Sequence, residues 1–109
     1  MENKDKLIVI LCNTDSEKNA EEIASKLINE KLIACANMIS GSKSIYEWQG
    51  KIEKREEITL IMKSFQSKFE EVEKAILEVH VDEVPEIIAL ESSKVHDKYL
   101  KWAEDYCVS

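Results

Sequence analysis

The chain has 109 residues, of which 44% are hydrophobic, and a formal net charge of −7. This length suits one domain with one core, and the apolar content excludes a disordered chain. The acidic balance disfavours nucleic acid and anionic membranes as partners, because both attract basic surfaces. The longest apolar run, Leu7 to Cys12, is far too short to cross a bilayer. We therefore predict a single domain over residues 1–109, with neither nucleic acid nor membrane as a partner.

The start of the chain and its cysteines indicate the compartment. Residues Met1 to Lys6 are mostly polar, which argues against a signal peptide. The three cysteines, Cys12, Cys35 and Cys107, are an odd number and form no C-x-x-C pair. In a reducing compartment such cysteines remain free thiols. We expect a cytoplasmic protein.

The first predicted elements are a strand and a helix. Residues Lys6 to Asn13 are rich in Ile, Leu and Val and predict a buried strand. The segment Thr14 to Glu17 offers several N-cap residues, including a capping box from Thr14 to Glu17. An apolar stripe at helical spacing follows and predicts a helix that ends near Lys31, with the stripe formed by Ala20, Ile23, Ala24, Leu27 and Ile28.

Residues 33–63 form a long segment of β-type sequence with one strong reversal signal at Gln49-Gly50. Read as a hairpin, each leg has about 15 residues and a length of about 50 Å. A compact chain of this size has a diameter of roughly 35 Å. The hairpin must therefore bend or lie against another subunit. Ser40 to Ser42 could form a tight turn that adds a strand, or a bulge that bends one strand, and we favour the bulge.

The second half of the chain repeats the pattern of helix and strand. Ser64 is a plausible N-cap for a second helix, whose apolar stripe is Phe65, Phe69, Val72, Ile76 and Val79. Pro85 prevents this helix from reaching that far, and Glu86 to Glu91 predicts a short fourth strand. A last helix presents one face formed by Tyr99, Trp102, Ala103 and Tyr106. The order is that of an α+β ferredoxin-like β-α-β-β-α-β fold with an added C-terminal helix and a long β2–β3 hairpin.

Several functional classes use this fold, and two of them are disfavoured here. An RNA-recognition module needs aromatic residues on its central strands, whereas residues 6–11 and 58–63 contain none. An acylphosphatase-like enzyme needs an anion-binding loop with an arginine after the first strand. Residues Asn13 to Ser16 contain no arginine and carry an acidic side chain. We also find no nucleophile and base at meaningful spacing, and so we predict no enzymatic activity.

Four segments in order along the chain resemble the CutA divalent-cation tolerance family: Leu32 to Asn37, Ser44 to Ile52, Glu83 to Leu90, and Tyr99 to Trp102. The resemblance covers the chain from about Leu7 to Trp102. It implies a cytoplasmic, PII-like homotrimer that is linked to tolerance of copper or other divalent metals and has no established enzymatic activity. The trimer would assemble through the β2–β3 hairpin.

The resemblance also implies copper ligands at Cys12, His80 and Glu86. The assumed topology places the end of the first strand beside the start of the fourth, and thiolate, imidazole and carboxylate groups suit copper or zinc. Asp82 and Glu83 could add oxygen ligands. Asp82 stands where the family usually has an aromatic residue, so this chain has a carboxylate in place of that ring. The alternatives are a small buried Cys12, a His80 that caps the second helix, and a Glu86 that holds a turn.

Tyr46 and Trp48 alternate on one predicted strand and therefore face the same side. Packing in an oligomer interface, where such residues are common, is the favoured interpretation. The alternative is a pocket between subunits for a small ligand. The corresponding alternative function is a structural or signalling trimer that binds a small metabolite or a partner protein at its inter-subunit clefts, with metal incidental.

Overall fold

Four antiparallel strands and three α-helices account for most of residues 5–108, the part of the chain that the computed structural model describes. The sheet has the order β2-β3-β1-β4. This arrangement confirms the predicted α+β ferredoxin-like fold with an added helix and a long hairpin. The strands are β1 Leu7–Thr14, β2 Cys35–Trp48, β3 Lys51–Phe65 and β4 Ile88–Glu91, and the helices are α1 Glu17–Asn29, α2 Phe69–Val79 and α3 Asp97–Cys107.

The two faces of the sheet are covered differently, because side chains alternate along each strand. Ile8, Ile10 and Cys12 of β1 belong to the larger core cluster, in which residues of α1 and α2 pack on the sheet. Leu7 and Phe65 belong to a smaller cluster with Ala103 and Cys107 of α3. Helices α1 and α2 thus cover one face, and α3 covers one end of the other.

The rest of the second sheet face is not covered by a helix within residues 5–108. Leu11 and Val9 pair with Ile88 and Leu90 of β4, and alternation places all four on this face. The side chains of Ile88 and Leu90 are exposed. This part of the sheet therefore presents apolar side chains at the surface of the chain.

Strands β2 and β3 continue past the body of the protein as a two-stranded arm, which we define as residues 42–57. The pairing register shifts between Ile39 and Ser42, where the predicted bulge is confirmed. Gln49 and Gly50 both have positive φ, 53° and 84°, as a two-residue hairpin turn requires. The described residues measure 50 × 26 × 23 Å along their principal axes. The arm makes the molecule elongated.

The predicted start of the second helix was wrong. Strand β3 extends to Phe65, a 3₁₀ turn follows at Gln66–Lys68, and α2 begins at Phe69. Ser64 is buried in the strand, and its hydroxyl donates a hydrogen bond to the carbonyl of Leu32 at 2.6 Å instead of capping a helix. Phe65 accordingly packs under α3 and not on the α2 stripe.

Helix α3 buries less of its predicted aromatic face than we expected. Ala103 is buried, whereas Trp102 is 51% exposed. The rings of Tyr99 and Trp102 lie 5.6 Å apart, and the Tyr106 hydroxyl donates to the carbonyl of Ile28 at 2.7 Å. The helix is therefore anchored through its tyrosines, and Trp102 lies at the surface of the subunit.

A buried asparagine joins β1, α1 and α2. The Asn19 Nδ2 donates to the carbonyl of Val79 at 2.9 Å, and its Oδ1 accepts from the hydroxyl of Thr14. Thr14 is the last residue of β1 and not a helix cap, so the predicted Thr14–Glu17 capping box is wrong. Ser16 is the N-cap, and its hydroxyl accepts from the Asn19 amide at 3.1 Å. This network fixes the end of α2, immediately before His80.

We expect Asn19→Ala to lower the free energy of unfolding by about 2–4 kcal/mol, because it leaves the Thr14 hydroxyl and the Val79 carbonyl without partners in the interior. Urea unfolding followed by circular dichroism measures the change. Asn29→Ala is the matched control, since Asn29 is exposed at the end of the same helix. An equal loss in both variants would contradict the proposed role of the network.

Candidate functional site

A cleft of about 700 Å³ lies between the arm and the segment of residues 80–87 that connects α2 to β4. The arm contributes one wall, which includes Tyr46 and Trp48 of β2 and Glu53 of β3. The connecting segment contributes the other wall, and Asn13 at the end of β1 lies between them. Tyr46 and Trp48 therefore face the same side, as their alternation predicted.

One guanidinium joins the two walls of the cleft. The Arg55 Nη2 lies 2.9 and 3.1 Å from the two carboxylate oxygens of Asp82, and its Nε lies 3.0 Å from Glu57 Oε2. Glu57 is only 8% exposed and also accepts a hydrogen bond from the Ser44 hydroxyl. Burial alone would lower the pKa of Arg55, but its bond to Asp82 and the charges around it raise that pKa. The arm and the connecting segment are thus held together by charge-assisted bonds.

His80 ends α2 and is bonded to Asn13 at the end of β1. Its backbone amide donates to the carbonyl of Ile76 at 2.8 Å, so His80 is the C-cap residue of the helix. The Nε2 atom donates to the carbonyl of Asn13 at 2.8 Å, because a carbonyl can only accept. The Nδ1 atom accepts from the amide of Asp82 at 2.9 Å. Both ring nitrogens therefore have partners within the protein.

Cys12, next to Asn13 in β1, has no exposed surface. Burial raises the pKa of its thiol from 9.0 to about 12, and the negative charges of Glu86, Asp82 and Glu57 act in the same direction. The thiol is therefore protonated at neutral pH, and it is not an activated nucleophile. The same carboxylates make this region favourable for positive charge.

The sequence matches the family described as CutA1 divalent ion tolerance protein over residues 8–106. The divalent-cation tolerance protein CutA of Thermus thermophilus is 35% identical over 97 residues, which are 89% of this chain and 94% of that protein. The chain belongs to the CutA1 divalent ion tolerance family. The family is named for tolerance of divalent cations and not for an enzymatic reaction.

Two further relatives extend the comparison. The chloroplastic protein CutA of Arabidopsis thaliana is 36% identical over 98 residues, which are 90% of this chain and 54% of that protein. This chain thus spans about half of the Arabidopsis protein. The solved structure of the periplasmic divalent cation tolerance protein CutA from Archaeoglobus fulgidus has a TM-score of 0.90 and 32% identity, covering 93% of this chain and 98% of that one.

Of the predicted metal ligands of this CutA1 chain, Glu86 lines the cleft, whereas Cys12 and His80 precede the lining residues Asn13 and Val81. The three do not form a ready-made metal centre. Within residues 5–108, no group of three or more His, Cys, Asp or Glu side chains is arranged to hold a metal ion. Cys12 carries a proton, His80 uses both ring nitrogens, and Glu86 accepts from Asn13 Nδ2 at 3.4 Å. The donor types suit copper, but their arrangement does not fit a bound ion without rearrangement. The three ligands therefore stay a prediction.

Asp82 has a structural role that the sequence alone did not indicate. It binds Arg55 through both carboxylate oxygens and so attaches the connecting segment to the arm. Glu83 lies exposed on the cleft wall, with no ion-pair partner in the described part of the chain. The predicted additional metal ligands thus differ, because Asp82 is already paired with a cation and Glu83 is not.

Three residues of the cleft were not predicted from the sequence: Arg55, Glu57 and Asn13. Arg55 and Glu57 are two residues apart on β3, so their side chains share the face that lines the cleft. The available signal in the sequence was that spacing, together with a carboxylate directly before the apolar part of β3. None of the helices in the described residues is long and apolar enough to cross a membrane.

Proposed function

We propose that this chain acts in divalent-cation tolerance as a PII-like, non-catalytic binding or signalling module, with copper as the foremost cation. The observation that carries the proposal is the concentration of carboxylates at one cleft in a chain of this family. Five acidic residues line the cleft and only one basic residue, Arg55, lies among them: Glu53, Glu57, Asp82, Glu83 and Glu86. A negatively charged cleft raises the local concentration of cations.

We further propose that the module works as a homotrimer assembled through the arm. Two features of the subunit support assembly. The arm presents Ile45 and Ile52, each 68% exposed, and the sheet face next to β4 presents Ile88 and Leu90. Apolar surfaces of this kind are buried in stable oligomers. The number of subunits comes from the family resemblance.

Cys12, His80 and Glu86 are the metal ligands that we propose. When bound there, copper would supply a concentrated positive charge among the surrounding carboxylates. The protein's own residues must adjust for this to occur. The Cys12 thiol has to lose its proton, and His80 has to release either the Asn13 carbonyl or the Asp82 amide. Binding is therefore coupled to a rearrangement of the connecting segment.

Titration calorimetry with copper(II) tests these ligands. We expect wild type to release about one proton from Cys12 per bound ion, which appears as a dependence of the heat on the ionisation enthalpy of the buffer. Cys12→Ala should lose that proton and bind at least about tenfold more weakly. Cys35→Ala, which removes another free thiol, should behave like wild type. Equal affinity and equal proton release in wild type and Cys12→Ala would remove Cys12 from the site.

A second candidate function is a trimer that binds a small metabolite at its inter-subunit clefts, with metal incidental. Tyr46 and Trp48 in the cleft wall favour it, because aromatic rings provide contact area for organic ligands. The metal content of protein purified without an affinity tag distinguishes the two functions. A cytoplasmic location remains part of the proposal.

A further inference from the structure

The wall of the cleft on the arm combines aromatic rings with acidic groups. Tyr46 is 38% exposed and Trp48 is 43% exposed in the single chain. Tyr46 pairs directly with Glu53 in the register of β2 and β3, which places a carboxylate beside its ring. The opposite wall includes the exposed apolar side chains Val81 and Val84. The cleft therefore offers apolar contact area and negative charge together.

The negative charge of the cleft is only partly neutralised within the chain. Arg55 is committed to Glu57 and Asp82. Glu53 and Glu83 have no ion-pair partner among residues 5–108, and Glu86 has only the long contact with Asn13 at 3.4 Å. The cleft can therefore take further positive charge without disturbing the pairs that Arg55 makes.

Asn13, which lines the cleft, also has an acceptor without a donor. The Asn13 Oδ1 atom is buried and has no hydrogen-bond partner in the described structure. A buried acceptor without a partner is unfavourable, and a ligand N–H group that reached it would relieve this. This acceptor favours a hydrogen-bond donor, as the carboxylates do.

We propose that the cleft binds an organic cation, a small amine whose apolar body lies against Tyr46 and Trp48 and whose ammonium group faces Glu53, Glu83 and Glu86. An ammonium group is attracted both to carboxylates and to the faces of aromatic rings. A metal ion would need several donors converging at about 2–2.6 Å, which the described residues do not provide as arranged. The amine needs no such convergence. The inference rests on the non-catalytic binding role proposed above and names a ligand class for the same cleft.

Calorimetric titration with phenethylamine, in buffer with EDTA and low salt, tests the inference. The matched probes are 2-phenylethanol, which has the same body without the charge, and 3-phenylpropanoate, which has the opposite charge. We expect saturable binding of the amine, no saturable binding of the other two, and weaker binding of the amine at high salt because screening reduces the attraction. Trp48→Leu and Glu83→Gln should each weaken amine binding by about fivefold or more.

Glu73→Gln is the control for the change of net charge, since Glu73 is exposed on α2 outside the cleft, and it should bind like wild type. Equal binding of amine and alcohol, equal loss in Glu73→Gln and Glu83→Gln, or no saturable binding of the amine would each overturn the inference. These outcomes are separate from those of the copper titration and from the measured subunit number. The proposed tolerance function can therefore survive the failure of the amine site.

Discussion

Replacing both Ile45 and Ile52 with aspartate is expected to convert the assembled protein into monomers. Both side chains are 68% exposed on the arm of a single subunit. Burying such a side chain in an interface stabilises the assembly by about 1.5–3 kcal/mol. Each subunit of the variant would lose the burial of two such side chains. The new carboxylates would also have to be desolvated in the interface, which is unfavourable for an unpaired charge. Light scattering coupled to size exclusion at about 10 μM measures the subunit number.

Leu77→Asp is the control for this experiment. Leu77 is an exposed apolar residue of α2, outside the arm, so the same kind of change should leave the assembly intact there. Circular dichroism should show that the double variant keeps its fold, because the two strands of the arm pair with each other within one subunit. A monomeric wild type, or a double variant with the mass of wild type, would refute assembly through the arm.

Cys12 is expected to make the protein less stable in alkali. Its pKa is about 12 in the folded protein against an ordinary value of 9.0. Above about pH 9 the unfolded chain loses this proton while the folded chain keeps it. The contribution of Cys12 to the free energy of unfolding is therefore complete below about pH 9 and declines as the pH rises toward about 12. The difference between these two pKa values corresponds to about 4 kcal/mol in total. Between about pH 8 and about pH 10.5 we expect the ionisation of Cys12 to lower the free energy of unfolding by about 2 kcal/mol.

Urea unfolding of wild type and Cys12→Ala at the two pH values isolates this contribution, with EDTA present and the protein concentration held constant. The variant will be less stable at pH 8 because it loses core packing, but its further loss at high pH should be about 2 kcal/mol smaller than that of wild type. The same pH dependence in both proteins would show that folding does not raise the pKa of the Cys12 thiol.

The order of elements could be predicted because each element has a local signal of its own. The Gln49-Gly50 turn and the bulge near Gly41 were readable from residues that adopt positive φ. The start of α2 was not, because Ser64 is a good N-cap in isolation. Its hydroxyl instead satisfies the buried carbonyl of Leu32, 32 residues away in the chain. Such a bond depends on the tertiary structure and has no signature near Ser64.

The site was predictable only as far as topology determines it. Pairing of β1 with β4 brought Cys12 toward Glu86, and the influence of the Glu86 charge on the thiol agrees with that. The partner of Asp82 could not be predicted, because Arg55 lies 27 residues away on a different element. The hydrogen bonds of His80 were hidden for the same reason. Strand pairing positions backbones, whereas the choice of side-chain partner depends on packing in three dimensions.

The pair between Arg55 and Asp82 connects the wall of the cleft to the arm within one subunit. If the arm also holds the subunits together, a ligand that displaces Asp82 changes the free energy of assembly. Thermodynamic linkage makes this effect reciprocal, so that assembly must change the affinity for the ligand by the same factor. The apparent dissociation constant of such a ligand should therefore vary with protein concentration, whereas that of a ligand that leaves the pair intact should not.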